Sequence, residues 1–209
     1  MAQVTVTRAD PTQAREAAAV LAAAFRDDPV MRAVIPRDAE PQSALAELFT
    51  ATLSAGAFAT GAVDIARVDD DPRIVGVAAW EGPRGVRGAL VRQARHLPAF
   101  VRALGWRGLG RAAGIQRRLD RRRPSFPHWY LAEVGVLPAG RGAGVGAALL
   151  TARLARLDAD EQTAYLESST PENRRLYRRL GFREAGAIEG IPGAAPARML
   201  RAPRVATAT

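Results

Sequence analysis

Residues 137–150 read LPAGRGAGVGAALL, with glycines at 140, 142, 144 and 146 alternating between an apolar run and a periodic Ala/Leu segment. A turn of that kind, leading from a strand into a helix, exposes unpaired N–H groups at the positive end of the helix dipole. Phosphate binds there without help from a side chain. Glycine lets the ligand approach because no Cβ stands in the way, and Arg141 adds a fixed positive charge. A tight strand–helix turn that needs small residues only for packing gives the same pattern. The loop alone therefore leaves both readings open.

Three kinds of phosphate compete for it. A nucleoside triphosphate loop needs Lys and then Ser/Thr after its last glycine, and Ala147 and Ala148 stand there instead. A dinucleotide loop needs G-x-G-x-x-G/A, which Gly142, Gly144 and Ala147 satisfy, with Glu161 or Glu167 as the ribose-binding acid. Too little chain follows residue 146, however, to complete a doubly wound sheet. The pyrophosphate of an acyl carrier is the third candidate.

The surrounding chain reads as one domain over 1–203 with a loose tail at 204–209. Its 209 residues contain no Cys and only two His, His96 and His128, so disulfides, thiolate chemistry and a His-based metal site are not expected. No apolar run is long enough to span a bilayer and the start carries no secretory pattern, so a cytoplasmic location is expected. Strands are read at 3–9, 61–70, 73–82, 128–136 and 162–169, with a closing hairpin after residue 182. Helices are read at 11–29, 40–56, 142–158 and 171–181. Residues 84–127 form a helical insert broken at Pro98 and Gly105–Gly110. The expected fold is α/β in the three-layer α+β sense, with a central mixed, mostly antiparallel sheet and one β-α-β unit in its middle.

A second motif separates the phosphate readings. In LESSTPENRRLYRRLGF (166–182) Thr170 is an N-cap, Pro171 opens a helix, and Gly181 ends it with Phe182 packing back. Asn173 and Tyr177, four residues apart, share one face of that helix. VGVLPAGRGAGVG (134–146) together with this Asn-x-x-x-Tyr…Gly-Phe arrangement resembles the GNAT acyltransferase superfamily, and most of all its small-molecule acetyltransferases of the puromycin N-acetyltransferase type. The resemblance is carried by Val136, Pro138, Arg141, Gly144, Gly146, Asn173 and Tyr177, and is strongest over 128–186.

What the resemblance implies is acetyl-CoA as co-substrate, no metal, and direct attack by the primary amine of a small molecule in a ternary complex. Val134, Gly135 and Val136 would pair with the pantetheine arm, and Arg141, Gly142, Ala143, Gly144, Val145 and Gly146 would cradle the pyrophosphate. Asn173 would touch the coenzyme, and the Tyr177 hydroxyl would face the thioester sulfur, with the nearby Arg side chains lowering its pKa. Glu133 is the candidate base. Strand alternation turns it away from Val134 and Val136 unless a bulge re-aims it. His128 at the strand start is a second candidate base. Asp27 and Asp28 are read either as turn chemistry after the first helix or as acceptor contacts. Trp80, Phe100, Trp106, Phe126 and Trp129 are candidates for core or pocket lining.

All 30 basic residues are Arg, against 21 acids, and the net charge is +9. Residues 84–123 hold twelve of the Arg and a single acid, Asp120. With aromatic residues interleaved this stretch also reads as a nucleic-acid surface, though a solvated Arg face is the commoner meaning. An N-acetyltransferase is thus the leading reading. A dinucleotide-binding protein and a nucleic-acid module remain as alternatives, and a homodimer is open as the assembly state.

Overall fold

The computed structural model describes residues 2–36, 39–83 and 88–204. Arg84 and Arg87 of the basic stretch and residues 205–209 of the expected tail lie outside the described residues. The elements run β1 (Val4–Arg8), α1 (Ala14–Ala24), α2 (Pro29–Val34), α3 (Pro41–Ala55), α4 (Ala57–Thr60), β2 (Gly61–Val68), β3 (Gly76–Glu81), α5 (Ala89–Arg95), α6 (Leu97–Asp120), β4 (Trp129–Val136), α7 (Val145–Ala159), β5 (Ala164–Ser168), α8 (Pro171–Arg179), β6 (Arg183–Ala187) and β7 (Ala197–Arg201). The seven strands form one sheet in the order β1-β2-β3-β4-β5-β7-β6. Every neighbouring pair is antiparallel except β4 and β5, which the α7 crossover makes parallel. The expected mixed, mostly antiparallel sheet is present. A doubly wound dinucleotide fold, which needs a parallel sheet, is not.

Period-two alternation divides the core between the two faces of this sheet. Val63, Ile65, Val77 and Ala79 pack under α1, α3 and α6, with Leu21, Phe49 and Leu104 fully buried there. On the other face Ala78, Trp80 and Leu131 meet α7 through Leu149, Leu150 and Leu154. Asp64 falls among the residues facing α7, where Arg153 receives it in a buried two-point ion pair of 2.9 and 2.6 Å. This pair ties the helix that follows the glycine loop to the middle of the sheet.

Several local expectations shift. The first helical segment does not run to residue 29: α1 ends at Ala24, and Asp28 caps a separate helix α2, accepting from the N–H groups of Val30 and Met31 at 2.9 and 3.1 Å. Nor does α7 start at Gly142. Gly142 and Gly144 have φ of 81° and 77°, so the loop takes the left-handed conformation at both glycines and the second caps the helix. Gly105, with φ 60°, kinks α6 where the sequence places a break. Trp106 and Phe126 are exposed rather than core. Arg204, at the start of the expected loose tail, and Arg201 before it are held by Asp158, through two Arg201 guanidinium bonds of 2.6 and 2.7 Å and the Arg204 N–H at 2.8 Å.

Arg153→Met, which leaves Asp64 buried without its partner, should lower unfolding stability by about 3–5 kcal/mol in urea titrations. The double change Arg153→Met with Asp64→Leu should recover most of that loss, because the desolvation of both charges is removed together.

Candidate active site

The site begins where β4 and β5 part. Their ladder pairs Trp129, Tyr130 and Leu131 with Ala164, Tyr165 and Leu166 and goes no further. Residues 133–136 pair on their other edge with β3 only, so the edge of residues 132–136 that faces β5 keeps free N–H and C=O groups. An extended arm with amide groups can pair with such an edge as an added strand. Just beyond lies the glycine loop. Among the described residues, the N–H groups of residues 142–146 make no well-formed backbone hydrogen bond, and Arg141, Gly142 and Gly144 are exposed. Backbone donors at the start of α7 suit a pyrophosphate. Gly135 plays a different part: a Cβ there would stand 2.7 Å from that of Ala24, so its small size lets α1 lie against the strand.

A cavity of about 150 Å³ opens in the gap between the strands. Glu133, Val134, Asn173 and Tyr177 line it together, so the structure brings these predicted residues to one place. The alternation that set Glu133 apart from the valines is real: Val134 and Val136 pack toward α7, while Glu133 lies opposite Ala79 on the other face. It is no obstacle, because the gap is reached from both faces. The anticipated bulge is also present. The β3 register passes from Ala79↔Glu133 to Trp80↔Leu131, which leaves Ala132 as the extra residue. The extra residue puts Glu133 on the same side as Tyr130 and Glu81.

Burial pushes the Glu133 carboxyl up to about 8; the Glu81 carboxylate adds to the rise and Arg123 opposes it. Glu81 is itself raised by burial. Tyr177 is buried, its ring edge-on to Phe182 at 5.9 Å, and no described residue hydrogen-bonds its hydroxyl. Burial, and then the charge of Asp28, hold its phenol well above the ordinary range. This reverses the expectation that Arg residues lower it. Arg174 instead donates to the Ala195 carbonyl and Arg178 pairs with Glu184. Tyr177 is therefore a neutral hydroxyl, able to donate a hydrogen bond at any ordinary pH.

The two aspartates separate. Asp28 lines the cavity and accepts from the Ser169 hydroxyl at 2.5 Å, joining α2 to the end of β5. Asp27 is exposed, pairs with Arg32 and does not line the cavity. His128 does not line it either: its Nδ1 lies 2.8 Å from the Phe126 carbonyl and its ring rests edge-on against Tyr165. Sequence reasoning missed Glu81, Arg123, Tyr130 and Tyr165, and weighed Glu167 only as a ribose-binding acid. Arg123 stacks on Tyr130, its guanidinium carbon 3.7 Å from the ring centroid, with Nε 3.8 Å from Glu167. The available signal was a charge inside an apolar strand, as in WYLAE and AYLES. Among the described residues no three His, Cys, Asp or Glu converge in metal-binding geometry, and no helix is long and apolar enough to cross a membrane.

Residues 107–184 match the family model of the acetyltransferase (GNAT) domain. Across its full length the chain is 31% identical to a structure from Corynebacterium glutamicum ATCC 13032 named as histone acetyltransferase HPA2 and related acetyltransferase. That likeness covers 100% of both chains with a TM-score of 0.75. The arylalkylamine N-acetyltransferase 2 of Aedes aegypti shares the fold at 15% identity, with 97% of this chain and 100% of that one covered and a TM-score of 0.69.

A titration test of stability follows from Glu133. Its folded pKa of about 8 stands above an unfolded value of 4.5, so its contribution to stability is complete below the unfolded value and is lost as pH rises toward the folded one. Glu133→Gln cannot ionise. Its stability relative to wild type should therefore climb through this window by about 2–4 kcal/mol, read by denaturation across the pH range. A difference that stays constant with pH would mean that Glu133 titrates as an ordinary hydrated carboxyl.

Proposed function

Because the chain belongs to the GNAT acetyltransferase family, we propose that it is an acetyl-CoA-dependent N-acetyltransferase acting on the primary amine of a small molecule. The observation that carries this reading is the meeting of Tyr177, Glu133 and Asn173 in one cavity, at the point where β4 leaves β5. The donor set fits the co-substrate. Residues 142–146 offer unpaired N–H groups for a pyrophosphate, Arg141 lies beside them, and the free edge at 132–136 offers strand pairing for an amide-bearing arm. Bound there, acetyl-CoA supplies an acetyl group activated as a thioester.

The residues of the chain then have separable tasks. The Val134 N–H, on the free edge beside the cavity, polarises the acyl carbonyl. Glu133 takes the proton that the amine must lose, and its raised pKa suits it to accept that proton near neutral pH. The nitrogen–carbon bond forms as the carbon–sulfur bond breaks, and the Tyr177 hydroxyl stabilises the departing sulfur by a hydrogen bond. With its pKa held above the ordinary phenol value, Tyr177 keeps its proton and acts as a donor rather than as a proton source. Asn173 at the cavity mouth holds the coenzyme, and Asp28, fixed by Ser169, shapes the acceptor side.

Tyr177→Phe should keep acetyl-CoA affinity within about twofold, because the change removes one hydroxyl from a buried ring, yet lower kcat by about 10²-fold or more. Calorimetric titration and thiol release measure the two quantities. Unchanged kcat would remove Tyr177 from the chemistry, and an absence of acetyl-CoA binding by the wild type would end the acetyltransferase reading.

A further inference from the structure

The chain carries a net charge of +9, yet the acceptor cavity is lined by three carboxylates, Asp28, Glu133 and Glu167, and by no Arg. A much larger groove across α2 shows the opposite balance, with Arg32, Arg102, Arg107 and Arg111 against Asp27. The acidity of the cavity is thus local. Two of its carboxylates have work already: Asp28 caps α2 and binds Ser169, and Glu133 is the proton acceptor of the proposed reaction.

Glu167 has none. Its side chain is 6% exposed, it lines the cavity, and its Oε1 is buried without a hydrogen-bond partner. The neighbouring cations reach it poorly. Arg123 stands 3.8 Å from Glu167, too far for a hydrogen bond, is also drawn to Asp120 at 3.5 Å, and covers the Tyr130 ring. Arg198, opposite Glu167 in the β5–β7 register, turns to the carbonyls of Ala185 and Arg122. The Tyr165 hydroxyl beside it is likewise buried and makes no well-formed hydrogen bond. A buried carboxylate oxygen left without a donor is costly to the fold, and a ligand that supplies the donor recovers that cost on binding. A cationic group with several N–H donors meets both needs of this position, charge and hydrogen bonding.

Building on the acetyltransferase reading, we propose that Glu167 anchors a second cationic group of the acceptor, so that the preferred substrates are diamines or guanidino-amines. One nitrogen lies toward Glu133 and Tyr177 and reacts. The other binds Glu167, and the alkyl stem between them runs along Met31, Leu119 and Leu131. Glu167 is on this account a specificity-determining residue that takes no part in the acyl transfer.

The test compares diaminobutane with pentylamine, in which a methyl group replaces the second ammonium, at saturating acetyl-CoA. In the wild type kcat/KM should favour the diamine by about tenfold or more, the scale of one buried charge-assisted hydrogen bond. In Glu167→Gln, which keeps the shape and removes the charge, that ratio should fall to about threefold or less. A wild-type ratio near one overturns the inference while leaving the acetyltransferase reading intact. So does a Glu167→Gln variant that weakens both amines equally, since a purely structural role would do that. If neither amine is turned over, the acetyltransferase reading fails for small amines. The second-cation inference is then judged separately by equilibrium binding of the two amines to CoA-loaded protein, where equal affinities refute it.

Discussion

The end of the β4–β5 ladder at Leu131 and Leu166 is the constraint on which the rest of the molecule turns. Two parallel strands that stayed paired would consume the main-chain groups of residues 132–136 and close the gap in which the cavity lies. The chain keeps them apart in two ways. The extra residue at Ala132 breaks the regular pleat of β4, and the glycine loop carries the chain into α7 before any further pairing is possible. Helix α7 is then fixed to the sheet by its leucines and by the buried Asp64–Arg153 pair, so the loop hangs from a rigid support on both sides. A phosphate cradle built only of backbone needs that rigidity, since it has no side chains to adjust.

The same parting gathers a set of charges rarely found in a protein interior. Glu81, Glu133 and Glu167 lie on the sheet face opposite α7 with Arg123 among them; beyond burial, Glu81 raises the Glu133 carboxyl, Glu167 raises Glu81, and Arg123 opposes both rises. One guanidinium does not balance three carboxylates in a poorly solvated place. The imbalance is relieved by protonation at Glu133, or by a cation from outside. An acceptor amine enters as that cation and leaves, once acylated, as a neutral amide. The electrostatics of the cavity therefore favour the substrate over the product, which helps release after the reaction.

Much of this was legible in the chain itself, and the limits have physical causes. The alternating glycines, Arg141, and the Asn173–Tyr177 spacing after Thr170–Pro171 are local signals, and local signals survive folding: the strand–helix turn, the capped α8 and the sheet class are present, with α7 starting three residues later than read. The end of the first helix was misplaced because the break after Ala24 carries no strong local signal, while Asp28 serves as the cap of a separate helix, Pro29–Val34. The direction of the Tyr177 shift was also out of reach. The Arg residues beside it in sequence point away along α8, while Asp28, far away in sequence, is the charge that it feels. Glu167 and Arg123 are brought together only by the β4–β5 contact, which no spacing in the sequence announces.

Hydrogen exchange followed by mass spectrometry, with and without acetyl-CoA, measures the central claim most directly, because it reads the main-chain groups that the parting of the strands leaves free. The account predicts new protection at the amides of residues 134, 136 and 142–146, and little change at 129–131 and at the alternate β4 amides that already bond β3. Acetyl-CoA binding that leaves those segments unprotected, or that protects only the Arg-rich α5 and α6, would contradict it.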